Sequence, residues 1–295
     1  MSQPTRPVIF GEVLYDCFPD GRQVLGGAPF NVAWHLQAFG LKPYFISRIG
    51  DDELGRKIKS AMTSWGMDVS GLQVDPMHPT GTVEVSIENN EPSYEIVNHR
   101  AWDYIGYEIS RNDIEHGILY HGSLALRNAI SKATLDKIKK EFSLPIFIDV
   151  NLRSPWWQKD FIGELIEDGQ IIKLNEHELS LIVPNQDNLK SRVQYLIENT
   201  KIKTLIVTRG AAGAIAALSS GEYFHIEAEN ITNLADTVGA GDAFSSVLLL
   251  GTIRKWPLSL AMERAQQFAS RIIAIQGATT EDRHFYDVII NNWDL

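Results

Sequence analysis

The sequence predicts an α/β fold, in which a mainly parallel β-sheet is covered by helices on both faces and carries a small β lid. Short apolar runs such as PVIFGEVL, PYFISRIG, PIFIDVNL and KTLIVTRG are typical of buried strands. Amphipathic segments such as FNVAWHLQAFG and ELGRKIKSAMTSWG stand between these runs and have the apolar spacing of helices. This alternation indicates βαβ units, which build a parallel sheet that binds its ligands at the carboxyl ends of the strands.

Two stretches interrupt the alternation. TGTVEVSI, ENNEP and SYEIVNHRAWDYI together have the period-two pattern and polar turn of a β-hairpin. With LYDCFPDGRQVLGG near the start, they predict a lid made of segments at about 14–25 and 80–103, although an edge hairpin or a dimer contact fits the same pattern. Because no internal repeat or low-complexity linker is present, we predict one core domain over residues 1–295 with the lid inserted in it.

Composition limits the class of partner. The chain has 295 residues and is 44% hydrophobic, which is enough to bury a large core, and its formal net charge is -10. A negative chain without a run of Lys or Arg argues against nucleic acid or an anionic membrane as a partner. The single cysteine, Cys17, fits a reducing compartment, and no signal segment or membrane-spanning apolar run is recognisable, so we expect a cytoplasmic protein.

The segment DTVGAGDAF is the first candidate for chemistry. Gly239, Ala240 and Gly241 are small enough to let their backbone N–H groups converge, and an apolar helix pattern follows them. A helix start adds free donors and a positive dipole end, which together make an anion cradle. Asp242 at this place is either a catalytic carboxylate or a helix cap.

Further polar residues stand where strands end or helices begin. In LGGAPFN, Gly26 and Gly27 allow close backbone approach to a ligand, and Asn31 suits the recognition of sugar hydroxyls, although a loop with a helix cap is the alternative. Arg153 in IDVNLRSPWW follows a buried strand and suits a phosphate or a substrate hydroxyl as well as it suits a structural ion pair.

Two later strand ends complete the set. Asn175 and Glu178 in KLNEHEL suit a hydrated magnesium ion or a capping box. VTRGAAGA places Thr208, Gly210 and Gly213 in a turn that suits a nucleotide phosphate or ribose. The convergence of these features in the order of a phosphoryl-transfer site favours the catalytic interpretation of Asp242.

These motifs resemble the ribokinase or PfkB family of carbohydrate kinases, and the likeness in layout covers essentially the whole chain. The C-terminal family pattern is matched by DTVGAGD. The N-terminal pattern is matched by Gly26, Gly27, Pro29, Asn31, Ala33, Gly40 and Gly50. GGAPFNVAWHL and DVNLR are most similar to the bacterial fructokinase branch.

The resemblance implies a ribokinase-like fold and a role for each matched residue. Asp242 would be the catalytic base, and the amides of Gly239, Ala240 and Gly241 would hold the transferred phosphoryl group. Asp16 and Asn31 would hold sugar hydroxyls, while Glu178 would contact Mg²⁺ through water. The nucleotide site would use Asn175, Thr208, Arg209, Gly210 and Gly213.

The activity implied is ATP-dependent phosphorylation of a primary sugar hydroxyl, with D-fructose converted to fructose 6-phosphate as the first choice. Ribose, a nucleoside, 2-keto-3-deoxygluconate and a phosphosugar are alternative acceptors, and Arg48 and Arg100 are candidate contacts for the last. A non-catalytic sugar sensor on the same scaffold is a third alternative, which the complete GAGD motif disfavours.

Three features depart from the family pattern. Val247 and Val150 replace residues usual in the family, and EDRHF after QGATT lacks a usual proline. Activation by a monovalent cation is therefore uncertain, because that region and Asp236 form the cation site in many relatives. A homodimer is possible if the lid exposes Val83, Val85 and Ile87, and a core-facing position explains these residues equally well.

Overall fold

A nine-stranded sheet organises the computed structural model, which describes residues 5–88, 91–109, 114, 116–229 and 236–295. Its strands are β1 Arg6–Phe10, β4 Tyr44–Gly50, β5 Leu72–Asp75, β8 Gly117–His121, β9 Ile146–Asp149, β10 Ile171–Asn175, β11 Thr204–Thr208, β12 Ala214–Leu218 and β13 Tyr223–Ile226. The spatial order is β13-β12-β11-β10-β9-β8-β1-β4-β5. All neighbours from β5 to β11 are parallel, and β12 and β13 continue the sheet antiparallel. The carboxyl ends of the parallel strands therefore meet at one edge.

Helices cover both faces of this sheet. They are α1 Ala28–Ala38, α2 Glu53–Trp65, α3 Ala129–Phe142, α4 Lys159–Asp168, α5 Glu176–Ile182, α6 Leu189–Asn199, α7 Ala240–Arg254, α8 Leu258–Ile272 and α9 Arg283–Trp293. Successive residues of β1 point into two separate cores: Ile9 packs with α1, α2 and α7 to α9, whereas Val8 and Phe10 pack with α3 to α6. The predicted α/β class with helices on both faces is confirmed.

A second sheet is built from the two segments that the sequence assigns to a lid. Its strands are β2 Leu14–Cys17, β3 Gln23–Gly26, β6 Gly81–Glu88 and β7 Glu91–Ile96, in the order β3-β2-β6-β7. The predicted hairpin is present as β6 and β7, and its turn at 89–90 lies outside the described residues. The strand pattern does not extend through HRAWDYI, because Ala101–Tyr104 form a 3-10 helix instead. We call these four strands the small sheet.

The apolar side chains of the small sheet bear on the dimer hypothesis. Val83 and Val85 are 6% and 5% exposed, so they are covered within the chain itself. The side chain of Ile87 lies outside the described residues. The core-facing explanation therefore holds for Val83 and Val85, and neither residue offers an apolar surface for a second copy.

The residue that precedes β6 of the small sheet is hydrogen-bonded to the start of α2. The hydroxyl of Thr80 donates to Asp52 Oδ1 at 2.6 Å and accepts the N–H of Gly50 at 3.0 Å, while the Thr80 N–H donates to Asp52 Oδ2 at 2.7 Å. Asp52 also caps α2 by accepting the N–H of Gly55 at 2.8 Å. One carboxylate therefore fixes both the helix start and the chain that enters β6.

We expect Thr80→Val to lower the free energy of unfolding by about 1–3 kcal/mol, since it leaves buried partners of the hydroxyl unpaired. Urea unfolding measures this loss. Thr63→Val is the matched control, because the Thr63 hydroxyl bonds the carbonyl of Lys59 at an exposed helix position and its loss is expected to cost no more than about 0.5 kcal/mol. Equal losses of unfolding free energy in the two variants would contradict a stabilising role of the Thr80–Asp52 hydrogen bonds.

The chain that leaves the small sheet after β7 is held by a buried arginine. The side chain of Arg127 is 3% exposed, pairs with Asp103 at 2.7 Å and donates to the carbonyl of Val97, just after β7, at 2.7 Å. Its guanidinium lies between the rings of Trp102 and Trp156, 4.1 and 4.3 Å from their centroids. Because Trp156 belongs to the loop that carries Arg153, one side chain joins that loop to the small sheet.

Candidate active site

The first turn of α7 holds the candidate catalytic residue. The helix begins after Gly239, whose φ is 81°, and no side chain caps this end. Asp242 is the third residue of the helix, so the cap alternative is wrong. Its carboxylate instead accepts a hydrogen bond from Asn31 Nδ2 at 2.8 Å. A helix start without a side-chain cap leaves its amides available to an anion next to this carboxylate.

Close packing of glycine maintains this turn. A Cβ on Gly239 would lie 2.4 Å from the Cβ of Ala278 and 2.5 Å from its Cα, and the backbone conformation of Gly239 is left-handed. Only glycine meets both conditions without displacement. The segment around Ala278 therefore supports the candidate anion cradle from behind.

Asn31 and Gly27 bring α1 to the same place. Gly27 stands at the N-terminal boundary of α1 with a φ of 113°, and a Cβ there would lie 2.7 Å from the carbonyl oxygen of Glu12. Asn31 is inside the helix and 4% exposed, so it is not a cap. Its Oδ1 is buried and has no hydrogen-bond partner in the described part of the chain.

Three carboxyl groups have raised pKa values and are influenced by the charge of one arginine. Burial raises the pKa of Asp242 to about 6, opposed by the Asn31 hydrogen bond, and burial raises the pKa of Asp16 on β2 to about 6. Burial also raises the pKa of Glu12, after β1, to about 7. The positive charge of Arg153 lowers all three pKa values, although its own side chain is exposed. Asp16, Glu12 and Asp242 therefore share the electrostatic influence of Arg153, and we call these three residues the carboxyl cluster.

The predicted nucleotide residues occupy the ends of β10 and β11. Asn175 and Thr208 are direct neighbours in the parallel register, and the Thr208 hydroxyl bonds the carbonyl of Leu174 at 3.5 Å. Arg209 pairs with Glu176 at 3.1 Å. Gly210 and Gly213 have positive φ values of 55° and 78° and close a tight turn before β12.

Glu178 forms the capping box that the spacing allowed. Its Oε2 accepts the N–H of Asn175 at 2.8 Å, and Asn175 Oδ1 accepts the N–H of Glu178 at 2.8 Å. Glu178 Oε1 accepts the N–H of Leu152 at 2.7 Å, and burial raises the pKa of Glu178. No cluster of three or more His, Cys, Asp or Glu that suits direct metal binding occurs within the described ranges. Contact of Glu178 with a metal through water stays a prediction.

Three further side chains at the site were not singled out by the sequence motifs. Glu12 is 3% exposed, and its Oε2 is buried without a partner among the described residues. Lys173 and Asp149 are 6% and 2% exposed and pair at 2.9 Å below the first turn of α7. Two stretches of the sequence could have indicated Lys173 and Asp149, because QIIKLN and PIFIDVNL each carry one of these charges within an apolar strand pattern. A buried strand accommodates a charge only when that charge has a partner.

Glu12 gives a prediction on stability. Its pKa is about 7 in the folded protein and 4.5 ordinarily, so between these values the folded state keeps a proton that the unfolded state releases, and rising pH costs stability. We expect Glu12→Gln and wild type to have equal Tm values at pH 5. At pH 8 the variant is expected to melt higher by about 3 °C or more, since it buries no charge.

Differential scanning calorimetry from pH 5 to pH 8 checks this result. Glu164→Gln, at an exposed position of α4, is the matched control and is expected to follow the wild-type curve. A Tm difference between Glu12→Gln and wild type that stays constant with pH would show that the Glu12 carboxyl does not titrate in this range.

Comparison with known proteins identifies the family. The family model described as pfkB family carbohydrate kinase matches residues 12–283. The fructokinase of Klebsiella pneumoniae is 32% identical over 258 residues, covering 82% of this chain and 83% of that protein. The fructokinase of Salmonella typhimurium is 30% identical and covers 82% of each chain.

Solved structures agree at the level of the fold. Aminoimidazole riboside kinase from Salmonella enterica, complexed with aminoimidazole riboside and an ATP analog, superposes with a TM-score of 0.81 at 26% identity, covering 97% of this chain and 99% of that one. Fructokinase from Xylella fastidiosa with bound ATP gives a TM-score of 0.84 at 17% identity over 98% and 99% of the two chains.

Fold and family together define a kinase that phosphorylates an alcohol group of a small molecule. The chain belongs to the pfkB family of carbohydrate kinases. It is therefore an ATP-dependent carbohydrate kinase with a ribokinase-like fold. Among the described residues, no helix has both the length and the apolar character that a membrane crossing requires.

Proposed function

We propose that this kinase transfers the γ-phosphoryl group of ATP to the primary hydroxyl of a small neutral sugar, with D-fructose as acceptor and fructose 6-phosphate as product. One observation carries the proposal: the Asp242 carboxylate lies in the first turn of an uncapped helix and is hydrogen-bonded to Asn31 of α1. A base and an anion-binding turn thereby share one place. The fructokinases of about 30% identity support the choice of fructose.

Each residue of the site would have a separate role in phosphoryl transfer. Asp242 takes the proton of the attacking hydroxyl, and the amides of Gly239, Ala240 and Gly241 stabilise charge on the transferred phosphoryl group. Asp16 and Asn31 hold sugar hydroxyls, and the unpartnered Asn31 Oδ1 supports that role. Phosphoryl transfer requires mainly alignment and charge compensation, which these groups supply.

The charge of the carboxyl cluster favours a neutral acceptor. Arg153 is the one cation that lowers the pKa of all three carboxyl groups of the cluster. Two further cations, Arg127 and Lys173, are paired with Asp103 and Asp149. An acidic or phosphorylated sugar would therefore meet net negative charge at neutral pH. Arg48, a candidate phosphate contact, is occupied by Asp75 at 3.0 Å and by the carbonyl of Tyr104 at 2.8 Å. The contacts of Arg48 and the charge of the carboxyl cluster disfavour a phosphosugar and 2-keto-3-deoxygluconate. Arg100, the other candidate phosphate contact, has a buried Nε without a partner among the described residues.

ATP would lie along the ends of β10 and β11, against Asn175, Thr208, Arg209, Gly210 and Gly213. Mg²⁺ bound to the phosphates compensates their charge. The donor set fits a hydrated ion that Glu178 contacts through water, because both Glu178 oxygens already accept backbone N–H groups and retain further lone pairs. The proposal does not include a monovalent cation. Both oxygens of Asp236 accept backbone N–H groups, from Val238 and Gly277, and retain further lone pairs, so a cation contact there stays a prediction.

The small sheet would act as a lid that keeps water from the phosphoryl group. Its β2 carries Asp16, so closure would bring a sugar-binding side chain with it. We place the reaction in the cytoplasm, where the lone Cys17 remains reduced.

A coupled ADP-release assay tests the proposal. The acceptors are fructose, ribose, glucose, mannose, 2-keto-3-deoxygluconate, nucleosides and fructose phosphates, each with wild type and Asp242→Ala. We expect fructose to give the highest kcat/KM in wild type and the Ala variant to be inactive with every acceptor. Product analysis by NMR then identifies the phosphorylated hydroxyl as that of C6.

A nucleoside-like acceptor is the second candidate, because the aminoimidazole riboside kinase of Salmonella enterica is 26% identical with near-complete coverage. A higher kcat/KM with aminoimidazole riboside than with fructose, again lost in Asp242→Ala, would replace fructose and retain the mechanism. Highest turnover with a phosphosugar would contradict the argument from the carboxyl cluster.

A further inference from the structure

A buried lysine connects the sheet to the candidate anion cradle. Lys173, in the middle of β10, donates to both oxygens of Asp149 on β9 at 2.9 and 3.2 Å and to the carbonyl of Gly241 at 3.3 Å. Gly241 immediately precedes Asp242. One ammonium group therefore bonds the strand and the first turn of α7 together.

Asp149 makes a second connection to the same helix. Its Oδ2 accepts the hydroxyl of Ser245, one turn further along α7, at 2.7 Å, and the hydroxyl of Tyr120 on β8 at 3.4 Å. The first turn of α7 is thus attached to the sheet at Gly241 and at Ser245. Apolar residues of similar volume would fill such a space with equal or greater stability, so the ion pair is better explained by what it does for the neighbouring turn.

Six groups face Asp242 from the elements packed around it. Asn31 on α1, Lys173 on β10 and Arg153 after β9 favour its anion. Asp149 on β9 and Glu12 after β1 disfavour the anion, and Tyr120 on β8 also interacts with it. Among these six, Lys173 and Asp149 are bonded to each other and act on Asp242 with opposite sign.

We propose that Lys173 is a positioning residue of phosphoryl transfer, which fixes the start of α7 on the sheet and holds a positive charge beside the catalytic carboxylate. This inference rests on the proposed function of Asp242. Its two parts are separable, because the charge of Lys173 is balanced by Asp149, whereas its hydrogen bond to the Gly241 carbonyl joins the backbone of the turn to the sheet.

The pH profile of kcat/KM separates the two parts. We expect Lys173→Met to move the acid limb up by about one pH unit and Asp149→Asn to move it down by a similar amount, which is at the small end of the effect of a neighbouring charge. In the double variant that combines Lys173→Met with Asp149→Asn, the acid limb of the kcat/KM profile is expected to return to the wild-type position. At pH 8, kcat is expected to fall by about tenfold or more in both variants that lack Lys173, because the turn is displaced.

Lys139→Met is the matched control. Lys139 of α3 is 11% exposed in its side chain and pairs at 3.1 Å with Asp168, which is 52% exposed. Because α3 and α7 pack into different cores, its loss removes a partly buried ion pair away from the first turn of α7. We expect its acid limb and kcat to equal those of wild type. Lys173→Arg, which keeps the charge, is expected to keep the wild-type limb and is the fallback if Lys173→Met does not fold.

The assay uses whichever acceptor gives the highest turnover, so failure of fructose alone leaves this test intact. A readout without turnover is the carbon-13 resonance of the Asp242 carboxyl, assigned by its loss in Asp242→Asn and titrated in the unliganded protein. Opposite shifts in the two single variants support the inference. Absent or same-direction shifts, or unchanged kcat at pH 8 in Lys173→Met, would overturn it.

Discussion

Asp242→Asn is expected to lower kcat by about 10²–10⁴-fold, the range of a general base. The substitution keeps the size of the side chain in the first turn of α7 and removes the group that accepts the proton. Sugar binding is expected to persist, because Asp16, Asn31 and Arg153 are unchanged. The coupled ADP-release assay measures kcat, and isothermal titration with sugar measures binding.

The matched control for this variant is Asp160→Asn. Asp160 stands in the first turn of α4 and is exposed, so it tests the loss of a helix-start carboxylate away from the site. We expect wild-type kcat for Asp160→Asn. Turnover near the wild-type level in Asp242→Asn would remove the base from the mechanism.

The same assignment fixes the direction of the pH dependence. A general base works only when ionised, and the pKa of Asp242 is raised to about 6 by burial. We therefore expect kcat/KM to fall below about pH 6 and to reach a plateau above it, on the acid side of neutrality. A fall of kcat/KM that begins only near pH 4 would mean that the Asp242 carboxyl is not shielded from water during catalysis.

Gly239→Ala is expected to lower kcat by about 10²-fold, because it displaces the amides that would hold the phosphoryl group. The new Cβ would overlap Ala278 at 2.4 Å and force a side chain into a left-handed conformation. The strain alone costs about 1–2 kcal/mol of stability. Kinetics and thermal unfolding measured on one preparation separate the two effects.

Gly221→Ala isolates the backbone strain. Gly221 has a φ of 96° in the turn between β12 and β13, and a Cβ there meets nothing within 4 Å. We expect a loss of stability without loss of kcat. If both glycine variants lose stability equally and both keep kcat, the contact with Ala278 does not hold the first turn of α7.

Local patterns predicted the parts of this molecule whose structure is determined locally. KLNEHEL and VTRGAAGA correspond to the ends of β10 and β11. The edge strand β5 was not predicted, because its four residues include an exposed Val74 and carry no clear periodicity. HRAWDYI was assigned to a strand, whereas hydrogen bonds of Arg100 and Asp103 close a short helix there.

Contacts between distant segments were beyond such patterns. Asn31 and Asp242 are separated by 211 residues, and only the packed fold makes them hydrogen-bonded neighbours. Lys173 and Asp149 look alike as single charges in apolar strands until the parallel register brings them together. The roles of the site residues remain predictions for the same reason: sequence and fold bring them to one edge, and catalysis has still to be measured.

The support of Gly239 by Ala278 has a consequence for C-terminal truncation. Trp34 of α1 also donates to the carbonyl of Thr280 at 3.0 Å, so the segment around 278–280 contacts both α1 and the start of α7. A chain shortened to end before residue 278 would lack both contacts. We expect such a chain to retain Asn31 and Asp242 in its sequence and to lose the fixed geometry between them.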